Sequence, residues 1–204
     1  MYAVMIDLTH KNIVIVGGGS VATRKVQSLL KERAYITVIA PWFTEELLEL
    51  EQERKVQLIR KEVEKRDIEA AFLIIVATNH SQVNEAIVKC ASPSQLVNVV
   101  EKPENGNITF PAQFSRGKLS IAVSTNGASP LLAKGLIKNL KEQYDDSYEQ
   151  YMDFLYECRS IIKHSTFDAK RKRQLLQKAL RDEYRHSLTL QTEFIQELQQ
   201  VSLL

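Results

Sequence analysis

The stretch NIVIVGGGSVA, residues 12–22, decides the fold of this chain. An apolar run of five residues leads directly into three glycines, and a helical pattern follows them. The spacing of Gly17, Gly19 and Ala22 matches G-x-G-x-x-A, in which the first glycine permits a tight turn and the second lets backbone approach a pyrophosphate. The small third residue lets helix and strand pack closely, with the helix N-terminus facing the anion. We expect cofactor contacts at Gly17, Gly18, Gly19, Ser20, Val21 and Ala22; the alternative is a glycine turn that binds nothing.

Strand and helix patterns alternate over the first hundred residues. Short β-branched runs at 12–16, 35–40, 56–60, 72–77 and 96–100 predict five strands, and helical patterns at about 21–32, 45–53 and 82–91 predict helices between them. The run FLIIVA at 72–77 is apolar on both faces, which is typical of an interior parallel strand. Thr44, followed by two glutamates, predicts a helix N-cap. This alternation predicts an α/β fold with a doubly wound parallel sheet of the Rossmann type.

The pattern changes after Glu101. Segments 107–114 and 118–124, joined by a turn that contains Gly117, predict a hairpin. Ser129 and Pro130 predict the cap and first residue of a helix that runs to about Gln143. Helical spacing then dominates, and STFD at 165–168 matches a capping box before another helix. We expect a nucleotide-type domain at 1–101, a small hairpin-containing region at 102–143 and a helical C-terminal region at 144–204.

Two further loops belong to the predicted cofactor rim. The second strand ends at Ala40 and Pro41, where many NAD-binding folds place an acid for the ribose, and no arginine for a 2′-phosphate stands there either. The residues therefore leave NAD and NADP both open. Thr78 and Asn79 follow the strongest strand, and ligands bind beyond the carboxyl ends of such strands, so we expect them to touch the cofactor. A plain turn that begins the next helix is the alternative.

Candidates for chemistry follow the fifth strand. Glu101 stands in NVVEKP at its tip, where a carboxylate can act as a general base while a hydride leaves; the alternative is an exposed loop glutamate. The turn STNGASP at 124–130 opens a helix that carries Lys134, Lys138 and Lys141. Free amides at a helix start bind anions, and spaced lysines add positive field, so an acidic substrate suits this turn. An ordinary capped helix with a basic face is the alternative.

Composition excludes several classes of protein. Hydrophobic residues make up 44% and charged residues 25%, which excludes disordered and fibrous chains. No run approaches the roughly 18 apolar residues of a membrane span and no leader pattern is present, so we expect an untargeted cytoplasmic protein. A net charge of +2 without interleaved aromatic and basic residues argues against nucleic acid. Cys90 and Cys158 stand far apart, which argues against a disulfide scaffold or a thiolate zinc site, and we expect no bound metal.

Four motifs, taken in order, resemble the precorrin-2 dehydrogenase family, which includes the N-terminal portion of siroheme synthase. They are VIVGGGSVATRK at 14–25, IVATN at 75–79, NVVEKP at 98–103 with FP at 110–111, and AVSTNGASPLLA at 122–133. The resemblance covers about residues 2–141. It implies NAD as oxidant, precorrin-2 as substrate and sirohydrochlorin as product. It also implies an intertwined homodimer whose active site lies between the cofactor domain and a dimerisation and substrate-facing region, here 102–143.

The resemblance also assigns roles to residues. The family commonly carries Asp where this chain has Glu101, so the catalytic carboxylate transfers to Glu101 with one extra methylene. The family's serine falls on Ser124 or Thr125, and both stay candidates for catalysis. Substrate contacts fall on Asn126, Gly127, Ser129 and Lys134. The methyltransferase module of the longest relatives does not follow, so we expect this chain to consume precorrin-2 rather than make it.

Two other functions stay open at this point. A bifunctional enzyme would also insert iron into sirohydrochlorin in the same cleft. We expect little chelatase activity, because no two of the four histidines are spaced as a local ligand pair and Glu101 is the one well-placed carboxylate. A non-catalytic NAD-sensing module is the third hypothesis, although a sensor has no evident need for Glu101 and the 124–130 turn.

Overall fold

The computed structural model describes residues 1–202, and the chain divides into two compact units, the first Met1–Phe110 and the second beginning at Pro111. The first unit is a five-stranded, fully parallel sheet with helices between the strands. Its strands are β1 (Asn12–Val16), β2 (Tyr35–Ala40), β3 (Gln57–Arg60), β4 (Leu73–Val76) and β5 (Leu96–Val99). Its helices are α1 (Ser20–Leu29), α2 (Glu45–Gln52), α3 (Lys65–Ile68) and α4 (Ser81–Cys90).

The strand order is β3-β2-β1-β4-β5, so the chain adds strands on one side of β1 up to β3 and then on the other side from β4, and the order reverses between β1 and β4. This confirms the predicted doubly wound α/β fold. All four residues of β4 are buried, as expected for an interior strand with helices on both faces. Two apolar clusters form the core, one on each face: Ile13, Ile15 and Ile75 belong to one, and Val14 and Ile74 belong to the other.

Two local details of this unit go beyond the sequence pattern. Thr44 stands at the N-cap position of α2 as predicted, but its side chain makes no capping bond. Its hydroxyl instead lies 2.8 Å from that of Thr23 and ties α2 to α1. Helix α3 was not predicted, because four residues are too few to show a helical period. A reciprocal capping box between Glu64 and Asp67 begins it.

The second unit starts with the predicted hairpin, formed by β6 (Ala112–Arg116) and β7 (Leu119–Val123) in antiparallel register. The helix α5 (Pro130–Gln143) follows, with Ser129 accepting from the Leu132 amide as its N-cap. The first part of the predicted segment 107–114 behaves differently. Asn107 and Ile108 return beside β5, and both backbone amides donate to the Val97 carbonyl. They therefore belong to the first unit, and the division falls at Phe110, nine residues after the boundary expected near Glu101.

The rest of the second unit is helical: α6 (Ser147–His164), α7 (Ala169–Ala179), α8 (Asp182–Arg185) and α9 (Leu188–Ser202). The predicted capping box at 165–168 is wrong. Ser165 ends α6, and Asp168 alone caps α7 by accepting from the Arg171 amide. The apolar stripe of α6, which includes Tyr151 and Ile162, lies in a core shared with the later helices and is therefore not a free dimer surface.

Candidate functional site

The glycine turn after β1 has the backbone geometry that the fingerprint requires. Gly17 has a φ of 126°, and a β-carbon there would lie 2.4 Å from the Ala77 carbonyl oxygen, so only glycine fits. A β-carbon at Gly18 would lie 1.8 Å from the Trp42 carbonyl oxygen. Gly17 and Gly18 are therefore glycines because other loops of the protein press against them.

Gly19 is different, because the space beside it is open. It stands at the N-cap of α1 with an ordinary extended backbone and no side chain to cap the first turn. A β-carbon there would meet only one side-chain atom, Cη2 of Trp42, at 3.6 Å. An open glycine before uncapped helix amides fits a pyrophosphate group. Ser20 is exposed and Val21 is half-buried at the start of the helix, while Ala22 is fully buried against the strand, as the fingerprint predicts.

The loop after β4 lies beside the glycine turn. The contact between Gly17 and Ala77 joins the carboxyl ends of β1 and β4, where the sheet order reverses. Ligands bind at such a reversal in open α/β sheets. Thr78 is half-buried and Asn79 exposed at this position.

Asn84, which sequence reasoning missed, connects this loop to Glu101. Its amide oxygen accepts from the Thr78 hydroxyl at 2.5 Å, and its Nδ2 donates to the Thr78 carbonyl at 3.1 Å. The same Nδ2 donates to Oε2 of Glu101 at 3.4 Å. Asn84 is 5% exposed and Glu101 is exposed, so a buried amide orients a carboxylate that faces solvent. Because Asn84 and Glu101 are 17 residues apart, only the fold reveals the pair.

The structure also places a positively charged side chain, that of Arg60, beside the tip of β2. Ala40 is buried and Pro41 exposed, and neither side chain can form a hydrogen bond with a ribose. Arg60 of β3 lies opposite Ala40 in the register of β2 and β3, so the fold brings an arginine beside this tip although none stands there in the sequence. The Arg60 guanidinium lies 5.5 Å from the centre of the Phe43 ring and 3.9 Å from the Glu51 carboxylate.

A second basic residue of the first unit was not singled out from the sequence. Lys25 of α1 is half-buried, and its ammonium lies 4.2 Å from the centre of the Phe110 ring. Burial, together with the neighbouring Arg24, lowers the pKa of Lys25. A partly desolvated ammonium of this kind attracts an incoming carboxylate.

The two candidate hydroxyls of the turn at 124–130 differ in exposure. Ser124 is exposed, while Thr125 is half-buried and its Oγ1 accepts from the Ser129 amide at 3.1 Å. Asn126 and Gly127 both have positive φ, 49° and 87°, and form the bend before α5. The Ser124 hydroxyl also serves the turn, since it accepts from the Asn126 amide at 3.2 Å, but Ser124 is the more exposed of the two residues. Lys134 is exposed on the first turns of α5.

Within residues 1–202, no group of three or more histidine, cysteine, aspartate or glutamate side chains could hold a metal ion. Over the same residues, no helix is both long and apolar enough to cross a membrane.

Three family models match successive parts of the chain. Residues 4–112 match a putative NAD(P)-binding family, and residues 116–140 match the central part of sirohaem biosynthesis proteins. Residues 148–194 match the SirC C-terminal domain.

Similar proteins agree with these models. A precorrin-2 dehydrogenase of Priestia megaterium is 45% identical over 98% of this chain and 98% of its own length. A precorrin-2 dehydrogenase of Bacillus subtilis is 38% identical over 78% of this chain and 98% of its own length. A solved structure of SirC, a precorrin-2 dehydrogenase, is 44% identical and superposes with a TM-score of 0.83 over 98% of this chain and 100% of the other.

Proposed function

The chain belongs to the precorrin-2 dehydrogenase family, and on that premise we propose that it oxidises precorrin-2 to sirohydrochlorin with NAD and that Glu101 takes up the proton. The observation that carries the proposal is the joint placement of the open glycine turn and the Asn84–Glu101 pair on the carboxyl rim of one sheet. A pure NAD sensor has no use for an oriented carboxylate at this rim.

The glycine turn and the loop after β4 hold NAD. The amides that follow Gly19 bind the pyrophosphate, and the first turn of α1 adds its positive end. Thr78 and Asn79, on the β4 side of the sheet reversal, position the nicotinamide half. NAD, when bound, accepts a hydride from the substrate.

Glu101 receives the proton that the substrate loses. Oxidation removes two electrons and two protons, so the hydride goes to the nicotinamide and one proton goes to a base. The Asn84 amide donates to one oxygen of Glu101 and so fixes the carboxylate, while the exposed side chain stays open to substrate. A positioned general base contributes roughly 10²- to 10⁴-fold to such a step.

The substrate carries several carboxylates, and basic and amide groups bind them. Ser124 supplies the hydroxyl, because it is more exposed than Thr125. Asn126, Gly127 and Ser129 shape the bend, and Lys134 adds charge near the start of α5. Lys25 is a further candidate for a carboxylate contact.

The enzyme acts as a homodimer in the cytoplasm. The dimer contact includes α5, since Leu131, Leu132 and Leu136 are 82%, 55% and 40% exposed on that helix. Three exposed leucines within six residues make an apolar patch that a second copy can cover.

The test is a spectroscopic assay with purified protein. Precorrin-2 and NAD should give sirohydrochlorin and NADH in equal amounts, followed by the tetrapyrrole absorbance and by NADH absorbance. Glu101→Gln should bind NAD normally and oxidise slowly. Oxidation that does not require NAD, or a wild-type rate from Glu101→Gln, would contradict the proposal.

Ferrochelatase activity is the alternative second function, and the match to sirohaem biosynthesis proteins is the observation that favours it. We expect little of it, because metal insertion needs a base for the pyrrole protons and a place for the incoming ion. Sirohydrochlorin with Co²⁺ or Fe²⁺ should therefore react at close to the spontaneous rate. Strong insertion that depends on protein and on Glu101 would identify a bifunctional enzyme.

A further inference from the structure

The indole of Trp42 is exposed beside the cofactor turn. Trp42 is the only tryptophan in the sequence, it stands two residues after the end of β2, and it is 64% exposed. Aromatic rings with an open face at a ligand site commonly provide flat apolar contact area. Neither the glycine fingerprint nor the proposed catalytic step assigns a role to this ring.

The backbone of Trp42 is fixed against the glycine turn. The Thr44 amide donates to the Gly18 carbonyl at 3.0 Å, and the hydroxyls of Thr44 and Thr23 lie 2.8 Å apart. The Trp42 carbonyl presses so closely on Gly18 that a β-carbon there would lie 1.8 Å from it. The ring therefore projects from an anchored loop, and holding it in one place for a ligand costs little additional ordering.

The ring lies on the adenosine side of the sheet. Its Cη2 lies 3.6 Å from where a β-carbon of Gly19 would stand, so it borders the surface that a pyrophosphate approaches. Strand β2 flanks β1 on the side away from β4. A dinucleotide that spans the reversal between β1 and β4 extends its adenosine half over the tip of β2. Trp42 follows that tip.

The usual recognition group for adenosine is missing at this tip. Ala40 and Pro41 occupy the place of the acid that binds the ribose in many such folds. The Arg60 guanidinium beside them lies 5.5 Å from the centre of the Phe43 ring and 3.9 Å from the Glu51 carboxylate. The large exposed ring of Trp42 is the neighbouring group that can offer adenine a flat surface.

We propose that the Trp42 indole stacks on the adenine of NAD and provides much of the affinity for the adenosine half. The inference rests on the proposed function, because it takes NAD as the ligand of the glycine turn. Stacking of a base on an aromatic side chain contributes enough that removing the side chain weakens binding by about tenfold or more. Stacking on the ring also makes adenine recognition independent of an acid at the tip of β2.

The experiment measures binding to the full-length protein. The fluorescence of Trp42, the sole tryptophan, is followed during titration with NAD, ADP-ribose and nicotinamide mononucleotide. NAD and ADP-ribose should quench it, and the mononucleotide should not. By calorimetry, Trp42→Ala should bind NAD and ADP-ribose about tenfold more weakly, and Trp42→Phe should recover most of that loss because phenyl rings also stack.

The matched control is Tyr35→Ala, which removes an aromatic side chain, 58% exposed, from the opposite end of β2. It should leave NAD affinity unchanged. If NAD and ADP-ribose bind the wild type but Trp42→Ala binds them equally well, the stacking proposal is overturned and the dehydrogenase proposal stands. If affinity for the nicotinamide mononucleotide falls as much as that for ADP-ribose, Trp42 shapes the whole turn and the adenine assignment is wrong. If the wild type binds no NAD, both proposals fail.

Discussion

Asn84 donates a hydrogen bond from Nδ2 to Oε2 of Glu101 over 3.4 Å, and the same amide is bonded to both the hydroxyl and the carbonyl of Thr78. One buried side chain thus couples the loop after β4 to the candidate base after β5. Since Asn84 is buried and its amide is bonded to both Thr78 and Glu101, we propose that it positions Glu101 and does not itself meet the substrate.

Substitutions of Glu101 and of Asn84, which donates to it, should lower turnover to different degrees. Glu101→Gln keeps the shape and loses the base, so turnover should fall by roughly 10²-fold or more with NAD affinity unchanged. Asn84→Ala removes the donor to Oε2 of Glu101 and should lower turnover, although less than Glu101→Gln does, because the carboxylate is still present. Gln82→Ala, an exposed change on the same helix, is the control and should keep the wild-type turnover. Wild-type turnover in Asn84→Ala would show that the amide does not position Glu101.

Substitutions in the glycine turn should separate folding from cofactor binding. Gly19→Asp fits the open space and can cap α1, so thermal stability should be kept or slightly raised while NAD binding is lost to charge repulsion and to the occupied amides. Gly18→Ala should instead lower stability by about 1–3 kcal/mol, because its β-carbon collides with the Trp42 carbonyl. Calorimetric NAD titration and thermal unfolding measure both effects. Normal NAD affinity in Gly19→Asp would refute the loop assignment.

The two hydroxyls of the second unit should also behave differently. Ser124→Ala should raise KM for precorrin-2 or lower kcat with little change in stability, because the bond from the Asn126 amide to this hydroxyl is exposed and water can replace it. Thr125→Ala removes the acceptor of the Ser129 amide and should cost about 1 kcal/mol of stability. Steady-state kinetics and chemical unfolding of both variants provide the comparison. Equal kinetic effects with equal destabilisation would argue against a substrate role for Ser124.

Light scattering should give about twice the chain mass of 23.3 kDa. Leu131→Asp, at a position 82% exposed on α5, should shift the protein toward monomers, since a charge in an apolar contact is costly. Leu180→Asp, at a position 63% exposed at the end of α7, is the matched control and should stay dimeric. A monomeric and fully active wild type would contradict the dimer.

The two cysteines should differ in reactivity. Burial raises the pKa of the Cys158 thiol to about 12, whereas Cys90 is exposed. Because the thiolate is the reactive form, a thiol reagent at pH 8 should modify Cys90 alone in the native protein and both residues in denaturant. Because the pKa of Cys158 is raised in the folded protein, stability should also fall as pH rises above the ordinary thiol pKa of 9.0, where the unfolded thiol ionises and the folded one does not. Fast labelling of native Cys158 would show that the α6 core opens readily.

Local sequence patterns determined the sheet, the glycine turn and the helix that begins at Ser129. These features depend only on a residue and its near neighbours. They are the alternation of strand and helix periods, the positive φ of Gly17 and the proline at the first position of α5. Such features are readable before any fold is known. The Asp168 cap was misplaced by three residues because Ser165 offered an equally good local pattern.

Only the tertiary structure decided which distant groups meet. Helix α4 brings Asn84 to Glu101, the register of β2 and β3 puts Arg60 beside Ala40, and the later helices bury Tyr151. These contacts depend on how whole elements pack, and packing is set by the sum of many weak apolar interactions across the core. The chemical roles of the site residues could therefore be predicted from the sequence, whereas their contact partners depend on strand order and helix packing.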